Sequence, residues 1–219
     1  MDMEQARFNM VEQQIRTWDV LDQDVLDLLC QVKREDFVPE AHRALALSDM
    51  EIPLGHGEAM LSPKLEARIV QEVGVKAGDH VLEIGTGSGY MTALLACMAH
   101  RGFVRSVEIV PEFTARAAAI LKQQGIANAI LEIGDAARGW TQGGSYDVIV
   151  LTGSVPVLPE AFLASLKVGG RLFAVVGDAP TMEAQRITRV TEDACRTTNL
   201  FETIVPPLKN AMQPQRFVF

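Results

Sequence analysis

Cysteine is scarce in this chain of 219 residues: Cys30, Cys97 and Cys195 stand far apart, odd in number and without a C-x-x-C pair. That excludes a disulfide framework, suits a reducing compartment, and leaves each thiol as a small core or near-core residue. Basic residues are also in deficit, 20 Lys and Arg against 28 Asp and Glu, for a net charge of −8 with no basic cluster. Such a chain is a poor match for a nucleic-acid phosphate backbone. No apolar run approaches the roughly twenty residues a membrane span needs. The opening "MDMEQARFNMVEQQIR" is charged and amphipathic, with neither the apolar stretch nor the cleavage site of a signal peptide. A cytoplasmic protein with no membrane association and no metal site is expected.

From Glu4 to about Ala46 the pattern is helical, with Val20, Leu21, Val25, Leu28, Leu29 and Val32 on one side and Asp22, Asp24 and Asp27 on the other. Residues 36–61, broken by Pro39, Pro53, Gly55 and Gly57, read as short helix and loop. Leu65, Ile69, Val70 and Val73 mark another amphipathic helix. Beyond Gly78 short β-rich runs alternate with helical ones. "HVLEIG", "FVRSVEI", "AILEIG" and "YDVIVLTG" are strands, "YMTALLACMAH" and "PEFTARAAAILKQQG" are helices, and "PEAFLASLKVGG" is a helix leading into the strand "RLFAVVGD". This alternation predicts a doubly wound, mostly parallel α/β sheet. The last two strands, "QRITRVTED" and "LFETIVPPL", leave no room for a crossover helix and predict an antiparallel pair at the sheet edge, making seven strands. Residues 1–77 form an N-terminal helical extension with a substrate-side loop, and 78–219 the ligand-binding core. The tail "NAMQPQRFVF" reads as an added edge strand.

"VLEIGTGSGY", Val81 to Tyr90, is a strand, three glycines and a helix start. Such a turn lets a ligand approach the backbone and the free N–H groups of the helix. A P-loop is excluded, because no lysine lies between Lys76 and Lys122. Tyr90 stands where a dinucleotide fingerprint needs its third glycine. Thr86 stands where a nucleophile elbow around Ser88 needs glycine. The surviving E-x-G-x-G-x-G pattern resembles the S-adenosylmethionine loop of class I methyltransferases, a Rossmann-like fold. Gly85, Thr86, Gly87, Ser88 and Gly89 would cradle the cofactor, and Glu83 would meet its ammonium, directly or through water. Glu108, 25 residues beyond Glu83 at the next strand end, can accept from both ribose hydroxyls. Asp135, with Ala136 beside it, follows the third strand, where that class often places an acid on the adenine amino group.

Taken with "GDAARGW", "MVEQQI", "REDFVP" and "IPLGHG", the loop resembles protein-L-isoaspartate O-methyltransferases from about Arg7 to Leu208. The resemblance implies a repair enzyme that methylates the α-carboxylate of isoaspartyl residues in damaged proteins or peptides. That family's loop G-x-G-x-T-I-S-x-P falls here on "GHGEAMLSP", with Ala59 at the threonine position and Leu61 at the serine position. Ser62 lands before Pro63 and reads as the N-cap of the following helix, with Glu66 in its first turn. Glu58, Ala59, Leu61 and Ser62 are the substrate-loop candidates. Glu58 could serve as a base toward a hydroxyl or amine, although it and His56 read first as solvated loop residues. The missing hydroxyls also leave open another methyl acceptor, or a descendant that binds the cofactor without turnover. A nicotinamide oxidoreductase suits the fold but is opposed by Tyr90.

Overall fold

The computed structural model describes residues 3–214. Seven strands, β3 (His80–Ile84), β4 (Phe103–Glu108), β5 (Ala129–Ile133), β6 (Tyr146–Leu151), β7 (Leu166–Asp178), β8 (Thr181–Arg189) and β9 (Cys195–Glu202), form one sheet in the order β5-β4-β3-β6-β7-β8-β9. The first five pair in parallel, and β8 and β9 complete the sheet as an antiparallel meander. β3 and β6 are apolar on both faces. Val81, Val148 and Val150 enter one core, and Leu82, Ile84, Ile149 and Leu151 enter the other. This is what a sheet covered on both sides requires. Helices α4 (Tyr90–Met98) and α5 (Pro111–Gln123) follow β3 and β4. The strand order reverses beside β3, and a cleft opens at the carboxyl ends of the strands there.

The N-terminal part is helical but broken. α1 (Met3–Asn9) runs into a π-helical stretch, Met10–Ile15, and a tight turn, Arg16–Trp18. α2 (Gln23–Gln31) starts at Asp22, whose carboxylate accepts from the N–H groups of Asp24 and Val25, so Asp22 is a cap rather than part of the polar face. α3 (Pro63–Val73) lies against the core. One of the two apolar clusters is continuous from Met10 through Val70 to Val175, so the extension packs on the sheet.

Three expectations are corrected. Residues 52–60 form a hairpin, β1 (Ile52–Gly55) and β2 (Glu58–Met60), instead of helix and loop. The turn is possible because Gly55, His56 and Gly57 all take positive φ, with His56 at 55°. The helix over "PEAFLASLKVGG" is only α6 (Glu160–Ala164), and β7 begins already at Leu166. Arg189 of β8 ends α6 by donating to the carbonyls of Leu163, Ala164 and Leu166. The extra residues of "KVGG" are absorbed in a register shift between β6 and β7. Finally, Cys30, Cys97 and Cys195 are free and exposed, not core residues. Cys30 and Cys97 lie on helix faces turned to solvent, and Cys195 opens the edge strand. Among the described residues no helix is long and apolar enough to cross a membrane. No strand forms over 209–214, and the rest of the tail expected as an edge strand lies outside the described residues.

Candidate active site

The cleft at the strand ends encloses about 690 Å³ of atom-free space, including the part open to solvent, within the usual range for small-molecule sites. Its floor is the glycine loop after β3. Gly85 N–H donates to Val107 O at 2.8 Å and Gly89 N–H to Thr86 O at 2.8 Å. Gly87 N–H donates to Glu108 Oε2 at 2.8 Å, while Val110 N–H holds the other oxygen of that carboxylate at 2.9 Å. Glu108 therefore fixes the loop to the end of β4 and still lines the cleft. Each of its oxygens keeps a second accepting lone pair. Gly87, at φ +51°, carries Leu54 of the hairpin above it, and a Cβ there would stand 3.3 Å from Leu54 Cδ1. Gly89 faces α5 rather than the cleft: a Cβ would come within 2.9 Å of Ala117 Cβ. Thr86 and Ser88 are turned to the loop's own support. Thr86 Oγ1 bonds to Ser106 Oγ, and Ser88 Oγ accepts from Tyr90 N–H.

Asp135 and Ala136, after β5, line the far end of the cleft. Asp135 Oδ1 accepts from Ala137 N–H at 3.1 Å and Oδ2 from Asn210 Nδ2 at 2.9 Å. The roof is the β1–β2 hairpin on one side, through Leu54, Glu58, Ala59 and Leu61, and residues 205–209 on the other. That C-terminal segment is held against the loop after β6. Ser154 N–H donates to Pro206 O, Leu208 N–H donates to Ser154 O, and Ser154 Oγ donates to Val205 O. Lys209 closes the two halves of the roof, its Nζ 3.0 Å from Glu58 Oε1 and 3.2 Å from His56 O. The His56 ring itself packs edge-on against Phe113.

Most of the expected residues thus meet at one cleft, but Thr86, Ser88, Gly89, Glu83 and Ser62 do not line it. Glu83 is wholly buried and does not line the cleft. Its Oε2 accepts from Thr92 of α4, and its Oε1 has no partner. Burial pushes this carboxyl up to about 8, against the opposing effect of the nearby Ser106 and Thr92 hydroxyls. A direct contact from Glu83 to a ligand is therefore not met. Ser62 takes the N-cap position of α3 and its carbonyl accepts from Leu65 and Glu66, but its hydroxyl makes no cap hydrogen bond and does not line the cleft. Pro63 at the first helical position explains the strong cap signal in the sequence without the side-chain bond. Glu66 stands in the first turn of α3, as its position in the sequence implies, but it is buried. It is 2% exposed and receives Arg34 Nε at 2.9 Å. Burial carries its carboxyl up to about 7 against the opposing charge and hydrogen bond of Arg34.

Sequence reasoning missed Leu54, Phe113, Thr152 and the segment 205–209 as cleft residues. Nothing in their local pattern marks them, since all reach the cleft through tertiary packing. Lys209 is the cationic side chain among the described cleft residues. Its position as the fourth residue of a Pro-Pro-Leu-Lys-Asn run carried no signal.

The model of the family protein-L-isoaspartate(D-aspartate) O-methyltransferase matches residues 5–213. A protein-L-isoaspartate O-methyltransferase 1 of Rhodopseudomonas palustris (strain HaA2) is 39% identical over 203 residues, 92% of this chain and 82% of that one. A protein-L-isoaspartate O-methyltransferase of Anaeromyxobacter dehalogenans (strain 2CP-C) is 40% identical over 188 residues, 85% and 88% of the two chains. The fold matches the crystal structure of a Plasmodium falciparum protein described as a putative protein-L-isoaspartate O-methyltransferase in complex with S-adenosyl-L-homocysteine. That match has a TM-score of 0.79 at 20% identity and covers 94% of this chain and 97% of the other. The chain belongs to the protein-L-isoaspartate(D-aspartate) O-methyltransferase family and is an S-adenosylmethionine-dependent methyltransferase.

Proposed function

We propose that this enzyme esterifies the α-carboxylate of isoaspartyl residues in damaged proteins or peptides, in the cytoplasm. The observation that carries the reading is the single cleft formed by the glycine loop, Glu108 and Asp135 below and the hairpin and residues 205–209 above. The cofactor fits what is there. Gly85 and Gly87 leave the floor without side chains, and Glu108 and Asp135 offer acceptors at successive strand ends for ribose hydroxyls and an adenine amino group. Ala136, beside Asp135, lines the same end of the cleft. Thr86, Ser88 and Gly89 act as supports of the loop. Residues 1–77 supply the roof hairpin, and 78–219 supply the cofactor floor together with the other half of the roof, residues 205–209.

When bound, the cofactor supplies an electrophilic sulfonium methyl. The acceptor carboxylate, with pKa about 4, is already ionised at neutral pH, so the chain need not supply a general base. Its residues have to hold one carboxylate oxygen in line and keep water out. Leu54, Leu61 and Leu208 give the cleft apolar walls, and Lys209 is the cation beside which an anionic acceptor can rest. Incubation with an isoaspartyl peptide and labelled cofactor should give a base-labile methyl ester. A labelled product stable to base, or no labelled product, removes the assignment.

One observation favours a second reading, an acceptor other than isoaspartate. Ala59 and Leu61 both line the cleft, where the family's loop carries hydroxyls, so an acceptor carboxylate here loses donors worth about 1–3 kcal/mol each. Methylation of a peptide amine or hydroxyl in place of the isoaspartyl carboxylate would support it.

A further inference from the structure

Beyond the glycine loop the cleft continues into a smaller recess of about 320 Å³, between the hairpin and the start of α4. It shares Gly85 and Gly87 with the main cleft and adds Thr86, Ser88 and Met91 on one side and Met60 and Glu66 on the other. A ligand whose nucleoside end lies at Asp135 and Glu108 and whose chain crosses Gly85 and Gly87 ends in this recess. An amino-acid end there carries an ammonium, which in an enclosed site needs an anion. Among the described residues lining the recess, Glu66 is the ionisable one. Glu83, expected for this role, sits behind the loop and lines neither space.

We infer that Glu66, held by Arg34, is the carboxylate that receives the α-ammonium of the cofactor's amino-acid portion. The inference rests on the S-adenosylmethionine reading of the cleft. Glu66 is built for the task in three respects. It lies in the first turn of α3, which Pro63 starts at a fixed angle. Its Oε2 is fixed by Arg34 Nε at 2.9 Å. Arg34 in turn spends its two terminal nitrogens on the carbonyls of Ala46 and Leu61, so neither partner can swing away. A carboxyl with one oxygen on a guanidinium has a second oxygen to offer, and an ammonium arriving beside it opposes the effect of burial and favours the carboxylate form. The same pairing joins the acceptor loop to the cofactor: Arg34 bonds both Leu61 O and the carboxylate.

Calorimetric titration tests this with two ligands, S-adenosylhomocysteine and methylthioadenosine, which lacks the amino-acid portion. The wild-type protein should bind the first at least about tenfold more tightly, the scale of one charged hydrogen bond. Glu66→Gln should lose about tenfold for S-adenosylhomocysteine and bind methylthioadenosine unchanged. Equal affinity of the wild type for both ligands overturns the inference, as does an E66Q protein that discriminates as well as the wild type. If E66Q no longer binds methylthioadenosine either, Glu66→Asp replaces it, keeping the charge beside Arg34 but withdrawing it from the recess. Undiminished discrimination by E66D then overturns the assignment, and reduced discrimination supports it. Failure of the wild type to bind either ligand is the separate result that defeats the cofactor reading itself.

Discussion

Individual positions decide most of what this cleft can do. Gly87 combines a left-handed backbone with Leu54 packed overhead. Gly87→Val should therefore abolish cofactor binding in a titration while the far-ultraviolet circular dichroism stays native, because strain falls on the one loop that floors the cleft. Leu61 points an aliphatic group into the cleft where the resembling family keeps serine. For a carboxylate acceptor, Leu61→Ser should raise kcat/KM on an isoaspartyl peptide by roughly tenfold, the worth of one recovered donor. An unchanged or lower value would favour a less polar acceptor. At this scale the sequence was legible where a backbone constraint is written in residue type, as in the glycines and the Ser-Pro pair. It was not legible where a side chain's partner comes from far away. Glu66 reads only as a first-turn acid, and its pairing with Arg34, 32 positions earlier, is invisible until the fold brings the two together.

Among the elements, the alternation of strand and helix after Gly78 carried the architecture, because β3 and β6 are apolar on both faces and cannot be anything but buried strands. The hairpin over 52–60 escaped because Ile52 and Leu54 give only one period of alternation before the turn. The length of α6 escaped for a different reason: Arg189, arriving from β8, takes its last carbonyls. Those bonds are a tertiary cap. Arg189→Ala should lower stability by about 1–3 kcal/mol, seen as a smaller urea midpoint with an unchanged slope. Cofactor affinity should be unaffected, since α6 does not reach the cleft.

Across the whole molecule, two fully buried carboxyls set the pH response. Glu66 and Glu83 titrate near 7 and 8 in the folded protein against 4.5 as free groups. Folding therefore favours their protonated forms, and between pH 4.5 and about 8 the folded state binds more protons than the unfolded one. Stability should fall as pH rises, by on the order of 1 kcal/mol per pH unit for each group until its own folded value is passed, about 7 for Glu66 and about 8 for Glu83. Urea midpoints at pH 6 and pH 8.5 measure it, and Glu83→Gln should flatten the slope. Lys209 joins two regions 153 positions apart in the chain, reaching both Glu58 and the carbonyl of His56 across the cleft. The pair is partly exposed, so dissolved salt weakens it. Ligand dwell time thereby becomes a function of ionic strength. In stopped-flow displacement, the release of S-adenosylhomocysteine should quicken as salt is added, and Lys209→Ala should release it fast at every salt concentration.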